Sequence, residues 1–383
     1  MRWLYVVIVA AALSACSKPA ALPFAAGGRL LPDSSSGGLR VLFNFDQRDG
    51  AEPTGLAVFK STLYGTTEEG GAYGGGVLYE FSSSGSEQIL YSFGGSRLVG
   101  YQPAWPPIGY RNALYGTTEL GGNNSGTIYK YARGKFSVLA RFLGYPNGGA
   151  YPNGLTVLNG SFYGTTFGGG SSAVGSIFAL TGSTLKTIYN FPNNNTGPLE
   201  PHTPLLAYDG ALYGTSNIGG VYGYGTVFKV TPAGDLTVIH SFGNGKDGRS
   251  PEAPLTNVNG EFYGTTSFGG SDSYGTVFEI TPSGRERVIY SFSYYGKLGN
   301  EPLAGLVYSK GELYGTTSGK EAGDGTIFAL EPSGKNPRVL YDLGHYAGSS
   351  NPNAALSTFD GLLYGTSSQG GTAEGGFIFR ASP

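Results

Sequence analysis

Short apolar segments separated by glycine-rich polar stretches recur along the chain at a nearly constant spacing. The clearest is Tyr-Gly-Thr followed by Thr or Ser, always preceded by Leu or Phe, and its seven copies begin at Tyr64, Tyr115, Tyr163, Tyr213, Tyr263, Tyr314 and Tyr364. The first and last copies are 300 residues apart, so the six intervals average 50 residues. A fixed period of this length predicts a fold made of repeated supersecondary units.

Each repeat contains three further apolar segments of strand length. Gly-x-(Val/Ile/Leu)-(Phe/Tyr) follows every Tyr-Gly-Thr, as in residues 225–228, and a segment that ends in Phe comes next, as in residues 238–242. A fourth segment, opened by proline in most copies, precedes each Tyr-Gly, as in residues 255–258. Runs rich in β-branched and aromatic residues between glycine-rich turns are typical of strands. Each repeat is therefore predicted to form four strands.

The connections between these segments indicate antiparallel pairing. Two-residue type I′ hairpins need positive φ at both central positions, which favours Asn-Gly and Asp-Gly. Five of the seven repeats carry such a pair before Tyr-Gly: Asn159-Gly160, Asp209-Gly210, Asn259-Gly260, Lys310-Gly311 and Asp360-Gly361. A second glycine turn joins the third and fourth segments in the six continuous repeats, as at Gly234 and Gly284.

Seven repeats of four antiparallel strands predict an all-β, seven-bladed β-propeller over residues 41–383, with a kelch-type repeat length. The last repeat lacks its fourth strand, whereas an extra copy stands at residues 41–45 before the first repeat. We expect this N-terminal strand to complete the last blade and close the ring, which removes open sheet edges. The glycine of Tyr-Gly-Thr is interpreted as a site where an adjacent blade approaches closely.

Composition agrees with a folded β-protein whose sheets are buried on both faces. Glycine and proline are abundant, at 67 and 22 residues, but only 13% of the chain is charged and 14% is aromatic. Disordered chains combine high charge with few aromatic residues, so this composition excludes disorder of that kind. The formal net charge of -2 leaves no basic surface for nucleic acid, and no nucleic-acid partner is expected.

The N-terminus has the pattern of a lipoprotein signal. Residues 1–15 contain one early arginine and an apolar run too short to span a bilayer, and Leu-Ser-Ala-Cys ends at Cys16, the single cysteine of the chain. This sequence resembles the lipobox of bacterial lipoproteins, which implies cleavage before Cys16 and its lipidation. Residues 16–40 read as a flexible tether. Ser17 carries no retention signal, so the expected address is the cell envelope, at the outer membrane.

The repeat as a whole resembles the bacterial GloVer tandem repeat, which occurs in proteins with various surface anchors. The two copies most similar to it are residues 212–228 (LYGTSNIGGVYGYGTVF) and 262–278 (FYGTTSFGGSDSYGTVF). The pattern departs at Gly319-Lys320-Glu321 in the sixth repeat and at Gly376-Phe377 in the seventh. The resemblance implies a surface-exposed or secreted propeller, and it implies no activity for any residue.

Motifs for catalysis or metal binding are not found. The three histidines, His202, His240 and His345, fall in different repeats, and His240 replaces a tyrosine of sister strands and is interpreted as a core substitution. No zinc-protease, α/β-hydrolase or phosphate-loop signature is present. We therefore predict no catalytic residue, metal or cofactor. The carboxylates between the second and third strands are the one enzymatic alternative, as glycosidase or lyase groups: Glu68, Glu69, Glu119, Asp272, Glu321, Asp324 and Glu374.

One face of the predicted propeller carries the long, variable loops. It comprises the loops between the second and third strands and the connections between blades, and we call it the long-loop face. Variable loops on a rigid scaffold commonly bind ligands, and exposed aromatic rings suit sugars or peptides. The candidate ligand-binding residues are Trp105, Tyr73, Tyr222, Tyr224, Tyr274, Tyr294, Tyr295 and Tyr346.

The resulting functional hypothesis is a monomeric, lipid-anchored propeller that binds a glycan or a protein without catalysis. The alternatives are a carbohydrate-active enzyme and a structural scaffold of the envelope.

Overall fold

The computed structural model describes residues 38–194, 196–319, 325–343 and 351–383. Seven four-stranded antiparallel blades form a ring in chain order, and the described residues contain no helix. The first blade contains β2 (Ala51–Phe59), β3 (Thr62–Glu69), β4 (Val77–Phe81) and β5 (Glu87–Ser92), and the second contains β6 (Ile108–Tyr110), β7 (Ala113–Thr118), β8 (Thr127–Ala132) and β9 (Lys135–Arg141). The third contains β11 (Thr156–Leu158), β12 (Ser161–Gly169), β13 (Ser176–Thr181) and β14 (Thr184–Asn190), with the additional short strand β10 (Gly149–Pro152) paired to β12. The fourth contains β16 (Leu206–Tyr208), β17 (Ala211–Ser216), β19 (Thr226–Val230) and β20 (Leu236–Ser241), and the fifth contains β22 (Thr256–Val258), β23 (Glu261–Thr266), β25 (Thr276–Ile280) and β26 (Glu286–Ser291). Two separate pairs of short strands accompany these two blades: β15 (Pro198–Leu199) with β18 (Ile218–Gly219), and β21 (Gly248–Arg249) with β24 (Phe268–Gly269). The sixth contains β27 (Val307–Ser309), β28 (Glu312–Thr317), β29 (Thr326–Leu330) and β30 (Arg338–Asp342), and the seventh contains β31 (Ser357–Phe359), β32 (Leu362–Ser367), β33 (Phe377–Ala381) and β1 (Leu39–Asn44).

The N-terminal strand β1 closes the ring, which confirms the prediction from the displaced repeat. The seventh sheet has the order β31-β32-β33-β1, with β1 outermost and antiparallel to β33. Leu39 pairs with Ala381, so the strand begins two residues before its predicted start at residue 41. Because β1 then leads into the first blade, it joins the last blade to the first. We call β1 the closing strand.

The hairpin between the first and second strands of a blade, here called the inner hairpin, follows the predicted geometry. At the inner hairpin, Asn159 and Gly160 have φ values of 50° and 81°, and the other Asn-Gly, Asp-Gly and Lys-Gly pairs repeat the pattern. The first blade reaches the same conformation without glycine, since Lys60 and Ser61 have φ values of 49° and 60°. Positive φ costs a non-glycine residue of the order of 1 kcal/mol, which explains why glycine dominates the second position.

The glycine of Tyr-Gly-Thr has a different role from the predicted one. A Cβ built on Gly264 would lie 2.5 Å from the ring of Phe278, its cross-strand partner in the same blade. The sister glycines lie equally close to the aromatic residue of the same blade's third strand. The close approach between blades occurs instead at some of the outer turns, where Gly85 faces the Leu42 carbonyl oxygen and Gly284 faces that of Ile239.

A ring of threonine hydroxyls joins consecutive blades. The first threonine of each Tyr-Gly-Thr motif donates a hydrogen bond to a carbonyl oxygen at the start of the following blade, and the last blade donates to the first. The pairs are Thr66–Trp105 (2.9 Å), Thr117–Asn153 (3.0 Å), Thr165–Thr203 (2.9 Å), Thr215–Ala253 (3.2 Å), Thr265–Ala304 (3.0 Å), Thr316–Pro352 (2.7 Å) and Thr366–Pro53 (3.4 Å). The ring explains why this threonine is kept in every repeat.

The hydrophobic core is divided among the interfaces between blades. Tyr213 and Phe242 of the fourth blade, for example, pack with Phe262 and Phe278 of the fifth. Both faces of each sheet are therefore covered by neighbouring blades, which accounts for strands that are apolar at nearly every position.

Candidate functional site

A residue with left-handed backbone conformation precedes the proline at the start of most blades, next to the residues that surround the central axis. Gln102, which precedes Pro103, has a φ of 57°. Its N–H donates to the Gly75 carbonyl oxygen of the preceding blade (2.9 Å), and its own carbonyl oxygen accepts the N–H of Glu119 (2.9 Å). Six of the seven blades have this left-handed residue before the proline. The conformation thus fixes the end of the second strand against the loop of the preceding blade.

This arrangement forms a cavity of about 360 Å³ at the mouth of the central channel on the long-loop face. Every blade contributes to its wall, which places the cavity on the propeller axis. Two positions of the repeat supply the lining: the residue after the proline, such as His202 and Glu252, and the residue after Tyr-Gly-Thr-Thr, such as Glu68 and Glu119. Trp105 lies in the same wall.

Asparagine and histidine side chains make part of this wall rigid. The buried amide of Asn153 donates from Nδ2 to the Thr165 hydroxyl (2.8 Å) and to the Pro201 carbonyl oxygen (2.7 Å). The His202 ring packs on Phe167 with ring centroids 4.5 Å apart. Burial lowers the pKa of His202, so its imidazole is neutral at pH 7 and available for hydrogen bonding.

The carboxyl groups at the channel mouth have raised pKa values, because burial disfavours their charged form. Burial raises the pKa of Glu68 to about 7, with further contributions from the negative charges of Glu119, Glu52 and Glu69. Burial also raises the pKa of Glu119 and of Glu252. Near neutral pH, Glu68 is therefore protonated in part of the molecules and ionised in the rest. The protonated form donates a hydrogen bond and the carboxylate accepts one.

Glu68→Gln is expected to weaken the pH dependence of stability. The pKa of Glu68 is about 7 in the folded protein and near 4.5 when the carboxyl is unperturbed, so the folded state binds the proton more tightly. The free energy of unfolding then falls as the pH rises from 4.5 to 7. After allowing for partial exposure, we expect a contribution of about 1–2 kcal/mol. Denaturant titrations at pH 5 and pH 7.5 on both proteins measure it, and an equal pH dependence in the two would contradict the assignment.

Most of the predicted tyrosines lie outside the channel mouth, on the long-loop side of the fourth and fifth blades. Tyr222 and Tyr224 lie against Gly243, and the Arg249 guanidinium covers the Tyr224 ring at 4.3 Å. Arg249 pairs with Phe268, which leads to Gly269 and its bridge to Tyr274. The Tyr274 and Tyr294 centroids are 5.4 Å apart, and those of Tyr294 and Tyr295 are 4.9 Å apart. We call these residues the aromatic strip: Tyr222, Tyr224, Phe268, Tyr274, Tyr294 and Tyr295.

The remaining predicted residues are separate from the strip. Trp105 belongs to the channel mouth, and Tyr73 is exposed on the first blade against Gly95. Of the predicted carboxylates, Glu68 and Glu119 reach the channel mouth, whereas Glu69 is exposed at the end of β3 and Asp272 and Glu374 are exposed on loops. Several predictions fall outside the described residues: Cys16 with residues 1–15 and most of the tether, Glu321, Asp324, His345 and Tyr346.

Sequence reasoning missed the residues that follow the proline of each repeat. His202, Glu252, Asn153 and Asn353 all line the channel mouth. Their shared position after the proline could have identified them. The residue type at this position differs between repeats, and such variation within a regular repeat indicates a surface position that core packing does not constrain.

Solved structures with the same overall fold have diverse functions. The BP39L lectin from Burkholderia pseudomallei has a TM-score of 0.62 at 11% identity, over 88% of this chain and 97% of that one. A puromycin-hydrolysing peptidase from Mycobacterium tuberculosis gives 0.56 at 12% identity, over 87% of this chain and 52% of that one. PorZ, a surface component of the type-IX secretion system of Porphyromonas gingivalis, gives 0.55 at 14% identity, over 88% and 47%. The chain thus spans about half the length of the last two, and these similarities show the fold alone.

At the sequence level, no curated protein matches the chain. The Gloeobacter/Verrucomicrobia repeat profile matches residues 30–202 and 200–383, a span that contains all seven Tyr-Gly-Thr motifs and the closing strand. The chain therefore belongs to the Gloeobacter/Verrucomicrobia repeat family.

Proposed function

We propose that this protein is a lipid-anchored lipoprotein of the bacterial cell envelope whose propeller binds a glycan, without catalysis, on its long-loop face. The observation that carries the proposal is the aromatic strip. Its rings remain accessible on a rigid scaffold: Tyr295 is 81% exposed, Phe268 48% and Tyr222 46%. Exposing several large rings in one place costs solubility, so such patches commonly mark binding surfaces.

A glycan fits the strip better than a charged partner does. Tyrosine rings present flat apolar faces with a hydroxyl at the edge, which suits the C–H faces and hydroxyl groups of sugar rings. Among the described residues, the charged group that lies over one of these rings is the Arg249 guanidinium, on Tyr224. The similarity of fold to a bacterial lectin is compatible with this use of a propeller.

The envelope address is supported by sequence alone. Leu-Ser-Ala-Cys at residues 13–16 follows a short apolar run and contains the single cysteine. The described residues include no helix that could cross a membrane. Attachment is therefore proposed through lipid on Cys16. Metabolic labelling with a palmitate analogue tests this, since Cys16→Ala should abolish incorporation, and incorporation that persists would overturn it.

Glycan binding is tested with residues 17–383, which retain every described residue, on an array of bacterial surface polysaccharides. Tyr222→Ala and Tyr295→Ala are each expected to weaken binding about fivefold, because each removes one stacking ring worth roughly 1 kcal/mol. Tyr73→Ala is the matched control. It occupies the same place in the first blade's loop as Tyr222 does in the fourth and is 65% exposed, but it lies outside the strip.

Three results would overturn the proposal. Absence of binding to any glycan would favour a structural scaffold. Binding that Tyr73→Ala weakens as much as Tyr222→Ala does would place the site elsewhere. A protein captured from the envelope through the strip, with no glycan bound, would replace the glycan by a protein partner.

A second candidate function, glycoside cleavage, is favoured by one specific observation. Glu68, with a pKa of about 7, interacts electrostatically with Glu119 at the channel mouth, and a proton-donating carboxyl beside a second carboxylate is the combination that glycosidases use. Release of reducing ends from a bound polysaccharide, lost in Glu68→Gln while binding is kept, would establish it. A bound polysaccharide that stays intact would exclude it.

A further inference from the structure

Three side chains with metal-binding atoms converge at the outer edge of the interface between the fourth and fifth blades. His240 lies near the end of β20, Asp247 in the connection that follows, and Glu286 at the start of β26. One ligand atom from each lies within 4.8 Å of the others. His240 Nε2 and Asp247 Oδ2 are 3.0 Å apart.

The backbone orients Asp247 toward this cluster. Its carboxylate is buried, and Oδ1 accepts the N–H of Gly248 (2.7 Å) while Oδ2 accepts the N–H of Gly243 (3.3 Å). Hydrogen bonds to ligating carboxylates are the usual support of a metal site. On the other side, Glu286 Oε1 is buried without a hydrogen-bond partner among the described residues. A buried carboxylate oxygen without a partner is costly, and a cation would satisfy it.

Comparison with the sister blades shows that the histidine is a local exception. His240 pairs with Val227 across the sheet, and the equivalent positions of four other blades carry tyrosine: Tyr91, Tyr189, Tyr290 and Tyr341. His240 packs edge-on against Phe242 as Tyr290 does against Phe292, in line with a core substitution, and its imidazole is in addition turned to Asp247.

The first blade contains the same pair of carboxylates without a histidine. Asp49 precedes its inner strand as Asp247 precedes that of the fifth blade, and Glu87 begins its outer strand as Glu286 does. Glu87 and Asp49 interact electrostatically, but the position that corresponds to His240 is Phe43. The first blade therefore serves as an internal control: it has the two carboxylates but no histidine nitrogen as a third ligand.

We propose that His240, Asp247 and Glu286 form a Zn²⁺ site between the fourth and fifth blades. An imidazole with two carboxylates suits zinc, and three protein ligands leave a fourth position open. That position faces a cavity of about 530 Å³, where a water or an oxygen of a ligand could bind. Zinc bonds of about 2.1 Å place tetrahedral ligand atoms about 3.4 Å apart, so the side chains close by up to ~1.4 Å on binding.

The cations near the site do not occupy it. Lys246 lines the same cavity but is exposed, so its ammonium group can remain in water. Arg287, next to Glu286 in sequence, is paired with Glu279. The site depends on no residue of the aromatic strip, so it stands or fails independently of glycan binding.

The test uses residues 17–383 without a histidine tag and zinc chloride as the probe. Isothermal titration and metal analysis after dialysis are expected to show one Zn²⁺ per chain. A rise in the thermal unfolding midpoint with zinc concentration should accompany binding, because the ion binds the folded state. His240→Tyr and Glu286→Gln should each weaken binding at least tenfold. His240→Tyr introduces the side chain that four sister strands carry, so folding is maintained.

Glu87→Gln is the matched control, because it removes the corresponding carboxylate of the first blade, and it should leave zinc affinity unchanged. Failure of the wild-type protein to bind zinc would overturn the proposal. So would zinc binding that persists in His240→Tyr, or that Glu87→Gln weakens as much as Glu286→Gln does. Binding of calcium in place of zinc would also exclude the assignment, since it would show a carboxylate site in which the imidazole has no part.

Discussion

Removing residues 38–45 is expected to lower the thermal unfolding midpoint by about 10 °C or more, or to prevent folding. The closing strand is the outermost strand of the seventh blade, and its Leu42 and the Phe45 that follows it are buried. Loss of one buried Phe costs about 3–5 kcal/mol, and loss of a Leu about 2–5 kcal/mol. The truncation also leaves β33 as an open edge.

The loss extends beyond the seventh blade, because the closing strand packs on the first. The Phe45 ring lies 5.4 Å from that of Tyr79, and the Phe43 ring 6.2 Å from that of Phe81. Three hydrogen bonds also join the two blades: Thr366–Pro53, Ser357–Leu56, and the Glu52 N–H to the Gly375 carbonyl oxygen (2.9 Å). These are worth about 1 kcal/mol each, too little to replace the buried aromatic surface.

Calorimetry of the full chain and three variants measures this effect. The control lacks residues 17–36, which lie before the closing strand, and it should unfold as the full chain does. A Phe45→Ala variant keeps the closing strand but removes the buried ring that follows it. Its midpoint should fall between those of the control and of the protein without residues 38–45. An unchanged midpoint after removal of residues 38–45 would refute the role of the strand in closure.

Gly264→Ala is expected to destabilise the protein by about 2–3 kcal/mol, a large effect for one methyl group. The new Cβ would lie 2.5 Å from the Phe278 ring and 3.2 Å from a Leu255 methyl group. The ring is fully buried between blades, so it cannot move away without displacing its neighbours. Overpacking of this kind costs about 1–3 kcal/mol. Chemical denaturation gives the free energy of unfolding directly.

A double-mutant cycle with Phe278→Leu separates steric crowding from any general intolerance of substitution. Phe278→Leu alone removes ring volume and costs stability, but it also makes room for the methyl group. The double variant should therefore be more stable than the sum of the two single effects predicts, by about 1 kcal/mol or more. Strictly additive effects would show that the ring is not what excludes a side chain at Gly264.

The repeat made most of the fold predictable from sequence. The seven Tyr-Gly-Thr motifs, the hairpin pairs such as Asn259-Gly260 and the displaced strand predicted the blades, the turns and the closure, all of which are confirmed. These features depend on local chemistry and period. The role of Gly264 was predicted wrongly. The repeat period locates its strand, but it does not show that the space above the glycine is filled by the Phe278 ring of the same blade.

The candidate sites were less predictable because they depend on distances between repeats. Tyr222 and Tyr295 were predicted as ligand-binding candidates and both are exposed, but their place in one strip depends on how neighbouring loops pack. His240 and Glu286 are 46 residues apart and lie in different blades. Their approach results from the twist of two adjacent sheets, which a single sequence does not report.

The closing strand also determines how the protein faces its surroundings. Since Leu39 pairs with Ala381, residues 38 and 383 both lie on the side of the short turns, opposite the long-loop face. A chain attached through residues before 38 would stand with its loops directed outward, away from the supporting layer. A tag or fusion partner added after residue 383 would leave the same surface unobstructed. Because this strand completes the ring, the proposed attachment and the proposed glycan site would lie at opposite ends of the propeller axis.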